Sequence, residues 1–307
     1  MRSISYILSL MLMLSSSCST PFVFTENENG IGLSEDGNPV FYYQRVPKSR
    51  TGEYVCNNYL HPLYTLNGDT ITEEFPADHL FHRGVFWAWH QLYAGEKNLG
   101  DGWINSGISY DIIKTDNAID NKKAELSVAV MWHSDSLNNG KPFIDEHTTI
   151  TVHRKDDGIR KIDFEIQLNP LIENLQIGGS DDEKGYGGFC VRMKLPDDLK
   201  FASQDGPVKP QNLQMKAGPW MDFPAGFGSN GEKSGIAILC HPSNPDYPQP
   251  WILRQKGSMQ NVVFPGRERF ILDKPLMLRY RLIIHEAEIP DLDILQTEYE
   301  NLNYEQH

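Results

Sequence analysis

The sequence predicts an all-β protein, one large antiparallel β-sandwich carrying a single short C-terminal helix. Three observations predict it. Runs in which apolar and polar residues alternate recur along the chain, and a period of two places one strand face on a core and the other outward. Turn chemistry separates the runs, at Asn67-Gly68-Asp69, Asn138-Asn139-Gly140 and Asp156-Asp157-Gly158. With 25 glycines and 19 prolines in 307 residues, long helices have little room.

Taken in order, the chain begins with a short positive segment, Met1-Arg2-Ser3, followed by a compact apolar run over residues 6–14. Ser15-Ser16-Ser17 then supplies small residues directly before Cys18. The run is too short to span a bilayer, so residues 1–17 are expected to be a lipoprotein signal peptide rather than an anchor helix. Cys18 would become the acylated first residue and hold the protein on a membrane without crossing it. Ordinary secretion with cleavage nearby is the alternative. Removal of the signal leaves 307 − 17 = 290 residues, with 18–35 expected as a tether and first strand and 36–307 as one domain. The expected location is the cell envelope, facing the periplasm or the outer-membrane surface.

Alternation marks strands over residues 126–133, 148–153, 161–168, 189–195 and 276–285. The last element reads as a helix opened by Pro290. Asp291 and Asp293 suit its positive end, and Leu292, Leu295, Tyr299 and Leu302 form an apolar stripe. No internal repeat or composition break divides the domain. The formal charge of -13 argues against nucleic acid or an anionic membrane surface as partner. Cys56, Cys190 and Cys240 are an odd set, so no disulfide framework is implied. Cys190 and Cys240 read as buried small hydrophobes, with their pairing left open.

Chemistry concentrates outside the clean strands. Asp78, His79, His82, Arg83, Trp87, Trp89 and His90 crowd into thirteen residues. A His pair beside a carboxylate has the composition of an acid–base site or of a metal site, and equally of a polar loop whose imidazoles cap backbone groups. Asp101-Gly102-Trp103 follows, and Asp145-Glu146-His147 opens a later strand. Glu146 is either a general base or a solvated carboxylate. The stretch Lys184-Gly185-Tyr186-Gly187-Gly188 matches no phosphate loop, since no helix pattern follows it. Trp220 and Trp251 read either as core aromatics or as platforms for sugar rings.

At these loops the sequence resembles the DUF6807 family. The resemblance rests on His61-Pro62-Leu63-Tyr64, on Asp78 through Gly84, and on Lys184 through Gly188. It continues through Trp220-Met221-Asp222, Gly235 through Ile238, His241-Pro242-Ser243-Asn244 and residues 278–285, and runs from about residue 40 to 286. Phe81 stands where the family usually has a second His. The family is often labelled after a methane-oxidising enzyme subunit, but a membrane monooxygenase needs several spanning helices, and none is readable here after the signal. The resemblance implies a supersandwich similar to galactose-mutarotase-like folds, which host sugar epimerases, lyases and glycoside-processing enzymes.

A carbohydrate-active enzyme of the envelope is therefore the expected function. His79, His82 and His241 would supply acid–base groups that titrate near neutral pH, Arg83 would orient the substrate, and Asp222 or Glu146 would be the opposing base. His61, Trp103, Lys184, Trp220, Asn244 and Trp251 complete the expected substrate-binding set. No facing carboxylate pair stands out, so proton abstraction beside a carbonyl suits the site better than hydrolysis. No cofactor is required; a divalent metal on His79, His82 and a carboxylate would stabilise an enediolate oxygen. A non-catalytic, lipid-anchored carbohydrate-binding protein is the competing expectation.

Overall fold

A computed structural model describes residues 22–137, 140–228 and 231–302. The expected signal and Cys18 lie outside the described residues. In chain order the strands are β1 (Phe22–Glu26), β2 (Gly30–Glu35), β3 (Asn38–Gln44), β4 (Tyr59–Leu63), β5 (Val85–Trp89), β6 (Gln91–Ala94) and β7 (Lys97–Gly100). Four long or central strands follow: β8 (Ile108–Ile119), β9 (Lys123–Ser134), β10 (Pro142–His153) and β11 (Ile159–Pro170). Then come β12 (Leu175–Gly178), β13 (Gly187–Val191), β14 (Ala202–Ser203), β15 (Gly206–Pro207), β16 (Trp220–Ala225) and β17 (Ser234–Cys240). The chain closes with β18 (Trp251–Ile252), β19 (Gln260–Val263), β20 (Phe270–Ile271), β21 (Leu276–His285) and the helix α1 (Leu292–Glu300).

Every ladder between these strands is antiparallel, and two large sheets stack face to face. One sheet has eight strands in the order β1-β2-β3-β4-β5-β13-β19-β18; the other has nine, β15-β14-β16-β17-β21-β11-β10-β9-β8. A four-stranded sheet, β20-β12-β6-β7, lies beside them. The all-β sandwich expected from alternation is thus the observed architecture. In β9 every second residue, Ala124, Leu126, Val128, Val130 and Trp132, is buried. The inner faces of the two sheets meet through aromatic contacts such as Trp89 with Trp132 of β9 and Trp87 with Phe164 of β11.

The alternation along β5 shows what lies on the other side of that sheet. Val85, Trp87 and Trp89 point into the main core, whereas Phe86 and Ala88 join a second apolar cluster with Tyr59, Phe75, Trp103, Cys190 and Met259. Loops therefore cover the outer face of the eight-stranded sheet, which is why β5 reads as a continuous apolar run rather than an alternating one.

The C-terminal helix begins two residues later than expected, at Leu292 and not at Pro290, and Asp291 caps it by accepting the N–H of Ile294. Nine residues are too few for a helix to stand alone. Leu292, Leu295 and Tyr299 fix it by burial against Trp220, Leu239 and Ile283 on the outer face of the nine-stranded sheet, at ~1.5–3 kcal/mol per side chain. Leu302 is exposed and falls outside this stripe. Among the described residues no helix is long and apolar enough to cross a membrane. Cys56, Cys190 and Cys240 are all buried free thiols, which for Cys190 and Cys240 is the small-hydrophobe role expected.

Candidate active site

The loops over the outer face of the eight-stranded sheet enclose a cleft of about 360 Å³. Its walls carry His79, Phe81 and His82 from the β4–β5 loop, His90 from the end of β5, and Trp103 from the β7–β8 loop. Lys184 and Tyr186 come from the β12–β13 loop, Asn212 from the β15–β16 loop, and Arg254, Lys256, Gly257 and Ser258 from the β18–β19 loop. Four of the candidate catalytic and substrate-binding residues, His79, His82, Trp103 and Lys184, converge here together with His90 of the same histidine-rich cluster.

Two successive turns, closed by His79 N–H to Pro76 and His82 N–H to His79, fold the first loop back on itself. This brings the His79 and His82 rings face to face, with centroids 4.4 Å apart and planes 4° from parallel. Phe81 packs its edge against both. Arg192, at the end of β13, clamps the loop: its guanidinium donates to Asp78, Glu73 and the Ser258 carbonyl and lies 3.4 Å from His82 Nδ1. Burial, reinforced by His79 and Arg192, pushes His82 down to about 2. His82 therefore does not titrate near neutral pH, contrary to expectation. With Arg192 donating toward Nδ1, its proton sits on Nε2, which makes the ring a hydrogen-bond donor.

The most organised group in the cleft is one that sequence reasoning did not select. His90 stands just before β6 and Asp101 just after β7, so the β6–β7 hairpin sets them side by side. His90 Nδ1 lies 2.8 Å from Asp101 Oδ2. The other carboxylate oxygen accepts the backbone N–H groups of Trp103 and Ile104 at 2.9 and 3.2 Å. His90 in turn stacks on the Trp103 indole, with centroids 5.0 Å apart and planes at 19°. A carboxylate held from both sides fixes the imidazole with its proton on Nδ1 and a lone pair on Nε2. The two-residue turn Gly95-Glu96, where Gly95 has φ +58°, is the sequence signal that would have revealed this pairing.

The opposite wall is cationic. Lys184 and Tyr186 flank Gly185, whose φ is +62° and where a Cβ would sit 2.6 Å from the Arg267 nitrogen; only glycine fits. Arg254 is braced by the carbonyls of Gln211, Asn212 and Leu253 and lies over the Tyr186 ring.

The remaining predicted residues lie elsewhere. Arg83 is buried behind the cleft, bonded to the carbonyls of Phe81 and Trp103 and stacked on Phe86, so it braces the loops rather than orienting a ligand. Glu146 lies within β10 and points between the two sheets, where it accepts hydrogen bonds from Asn58, Trp132 and Thr148. It is fully buried, and burial pushes its carboxyl up. It is neither a solvated carboxylate nor within reach of the cleft. Asp222 is equally enclosed, 3.1 Å from His285 Nε2 in the nine-stranded sheet. His241, held by Ser243 and edge-on to Tyr299 near α1, is pushed down to about 4 by burial, so it too does not titrate near neutrality. Asn244 ties its loop to the Arg279 backbone.

Trp220 donates to Asp293 beneath α1, and Trp251 is fully buried with its indole N–H on the Gly218 carbonyl. Both are core aromatics whose faces no ligand can reach. His61 hydrogen-bonds Thr72, is pushed down to about 4 by burial, and lines a separate groove with Lys48 and Glu74.

The donor set does not suit the optional divalent metal on His79 and His82. A ring nitrogen binds a cation in the plane of its ring, and the parallel planes of His79 and His82 share no point. Among the described residues no group of three or more His, Cys, Asp or Glu side chains is placed to hold a metal ion.

A family model described as "Family of unknown function (DUF6807)" matches residues 31–297, a span that contains every residue of the cleft. No curated protein matches the chain.

Proposed function

The chain belongs to the DUF6807 family, and from that premise we propose that it is a carbohydrate-active enzyme that removes a proton beside a carbonyl or carboxyl carbon of a sugar. The observation that carries this reading is the His90–Asp101 pair at the cleft. Asp101 accepts the hydrogen bond of Nδ1–H, which keeps that proton on Nδ1 and leaves Nε2 as the base. The C–H electrons pass into an enolate, and the imidazolium that forms is stabilised by the carboxylate behind it. His82, neutral with its proton on Nε2, donates to a developing oxyanion. The enolate is then either reprotonated, which epimerises the carbon, or expels a β-substituent, which cleaves a glycoside. The site of action in this reading is the cell envelope, reached through the signal of residues 1–17 and the lipid on Cys18.

Incubation of the protein with ordinary and oxidised glycosides in D2O tests it. The expected result is deuterium at the carbon beside the carbonyl, or an unsaturated product, with the wild type and with neither for His90→Ala. A carbohydrate-binding protein without catalysis would instead show sugar affinity in both proteins and no exchange in either.

A further inference from the structure

The protein carries 41 acidic residues against 28 Lys and Arg, a formal charge of -13. Its cleft reverses that sign. The wall residues include Lys184, Arg254 and Lys256 and no carboxylate. Among the described residues, none of the three cations forms an ion pair. Arg254 rests on backbone carbonyls. Asp182, next to Lys184 but one, accepts the backbone N–H groups of Lys184 and Gly185 and the Ser180 hydroxyl, and feels the lysine charge only from beyond ion-pair distance. Two carboxylates bonded to wall histidines have further partners of their own: Asp101 holds His90 and two backbone N–H groups, and Asp78 holds Arg192 as well as His79.

Neutral hydroxyl groups need donors and acceptors, not three cations gathered in a concavity, whereas an anion gains from the focused field of such a wall. Bracing Arg254 in advance lowers the ordering cost of binding. We propose that the ligand of this cleft is a uronate, an acidic sugar whose carboxylate is seated by Lys184, Arg254 and Lys256. The proposal rests on the proton-abstraction reading and names its substrate class. In a 4-linked uronide the carbon beside the carboxylate is C5. His90 Nε2 takes the C5 proton, and the electron pair moves into the C5–C6 bond as charge gathers on the carboxylate oxygens. Neutralising that charge is the task of the cationic wall. The pair then forms the C4–C5 double bond as the C4–O bond breaks, and the departing oxygen takes up a proton. One glycoside becomes two sugars with no water consumed.

Calorimetric titration with 4-linked oligouronates, their carboxyl-reduced neutral counterparts and sulfated neutral oligosaccharides tests the assignment. Uronates should bind best, with an affinity that falls as salt rises. Lys184→Gln combined with Lys256→Gln removes two charges whose side chains make no hydrogen bond among the described residues. It should weaken uronate binding by about tenfold or more, after allowance for exposure, and leave neutral sugars unaffected. Lys256→Arg should restore affinity by restoring charge, which separates lost charge from a damaged fold. Equal affinity for neutral counterparts, wild-type uronate binding by the double variant, tighter binding of sulfated sugars, or no binding of any uronate overturns the proposal. Uronate binding without product formation would leave the ligand assignment standing and end the enzymatic reading. Turnover of neutral sugars alone would do the reverse.

Discussion

Asp101→Asn probes the cleft where its geometry is most specific. One carboxylate oxygen accepts His90 Nδ1–H at 2.8 Å, and the other accepts two backbone N–H groups at 2.9 and 3.2 Å. An amide offers one acceptor and one donor in their place. Turning its oxygen toward His90 would set its NH2 against the backbone N–H groups of Trp103 and Ile104, at ~1–3 kcal/mol for each lost bond. Keeping the oxygen on the backbone sets the NH2 against Nδ1 instead. That arrangement costs less, because a neutral imidazole can carry its proton on either nitrogen. The proton of His90 then moves to Nε2, and the lone pair that would abstract a substrate proton disappears. A positioned base contributes ~10²–10⁴-fold, which corresponds to about 3–5 kcal/mol of barrier. Long-range 1H–15N spectra read the tautomer without any substrate, and the rate of deuterium uptake reads catalysis. An unchanged Nδ1–H tautomer in the variant would refute the hydrogen-bond argument. A switched tautomer with wild-type exchange would refute the role of His90 as base.

Other perturbations give equally definite outcomes. A Cβ at Gly235 would lie 2.0 Å from His285 Nε2 and break its contact with Asp222, so Gly235→Ala should cost ~3 kcal/mol or more in urea unfolding; a loss under ~1 kcal/mol would contradict the packing. His82 is held neutral down to about 2, while an unfolded chain binds that proton below ~6.5. Stability should therefore decline as pH falls from ~6.5, and His82→Gln should remove up to ~1.4 kcal/mol per pH unit of that slope; an identical slope in the variant would show that His82 titrates normally. Glu146 accepts four bonds, all from donors, so the amide of Glu146→Gln must oppose one of them at ~1–3 kcal/mol near neutral pH. Because its carboxyl is pushed up in the folded state, the wild type should lose stability as pH rises from ~4.5 and the variant should lack that component, as thermal melts across pH would show.

The alternating runs were enough to place β9, β10, β11 and β21, because burying one strand face imposes a period of two on sequence itself. The run over 189–195 was read too long. β13 ends at Val191; beyond it the backbone of Arg192 bonds Gly84 and Glu73, Met193 makes only an isolated bridge to Thr72, and the Arg192 side chain clamps Asp78 and Glu73. Alternation cannot register that, since polar and apolar residues continue to alternate where the continuous ladder gives way to isolated bridges. For Glu146 the pattern was present but unread: Ile144, Glu146, Thr148 and Ile150 share the inward face of β10, so its parity already pointed to the core.

Trp220 and Trp251 carried no such signal. An aromatic residue looks the same in sequence whether helix α1 covers it or solvent does. Half of the cleft was visible as a cluster of unusual residues in one loop, His79 and His82, with Trp103 and Lys184 further along. The His90–Asp101 pair depends on one hairpin register, and the wall at Arg254 and Lys256 arrives from more than 150 residues downstream of His90. By itself the sequence determined the fold class and the position of its longest strands, because periodicity and turn chemistry are local properties. Which histidine faces a carboxylate, which tryptophan faces a core, and which cations share one concavity were decided only by the tertiary structure. These are distances between segments, and a sequence records the segments without the distances.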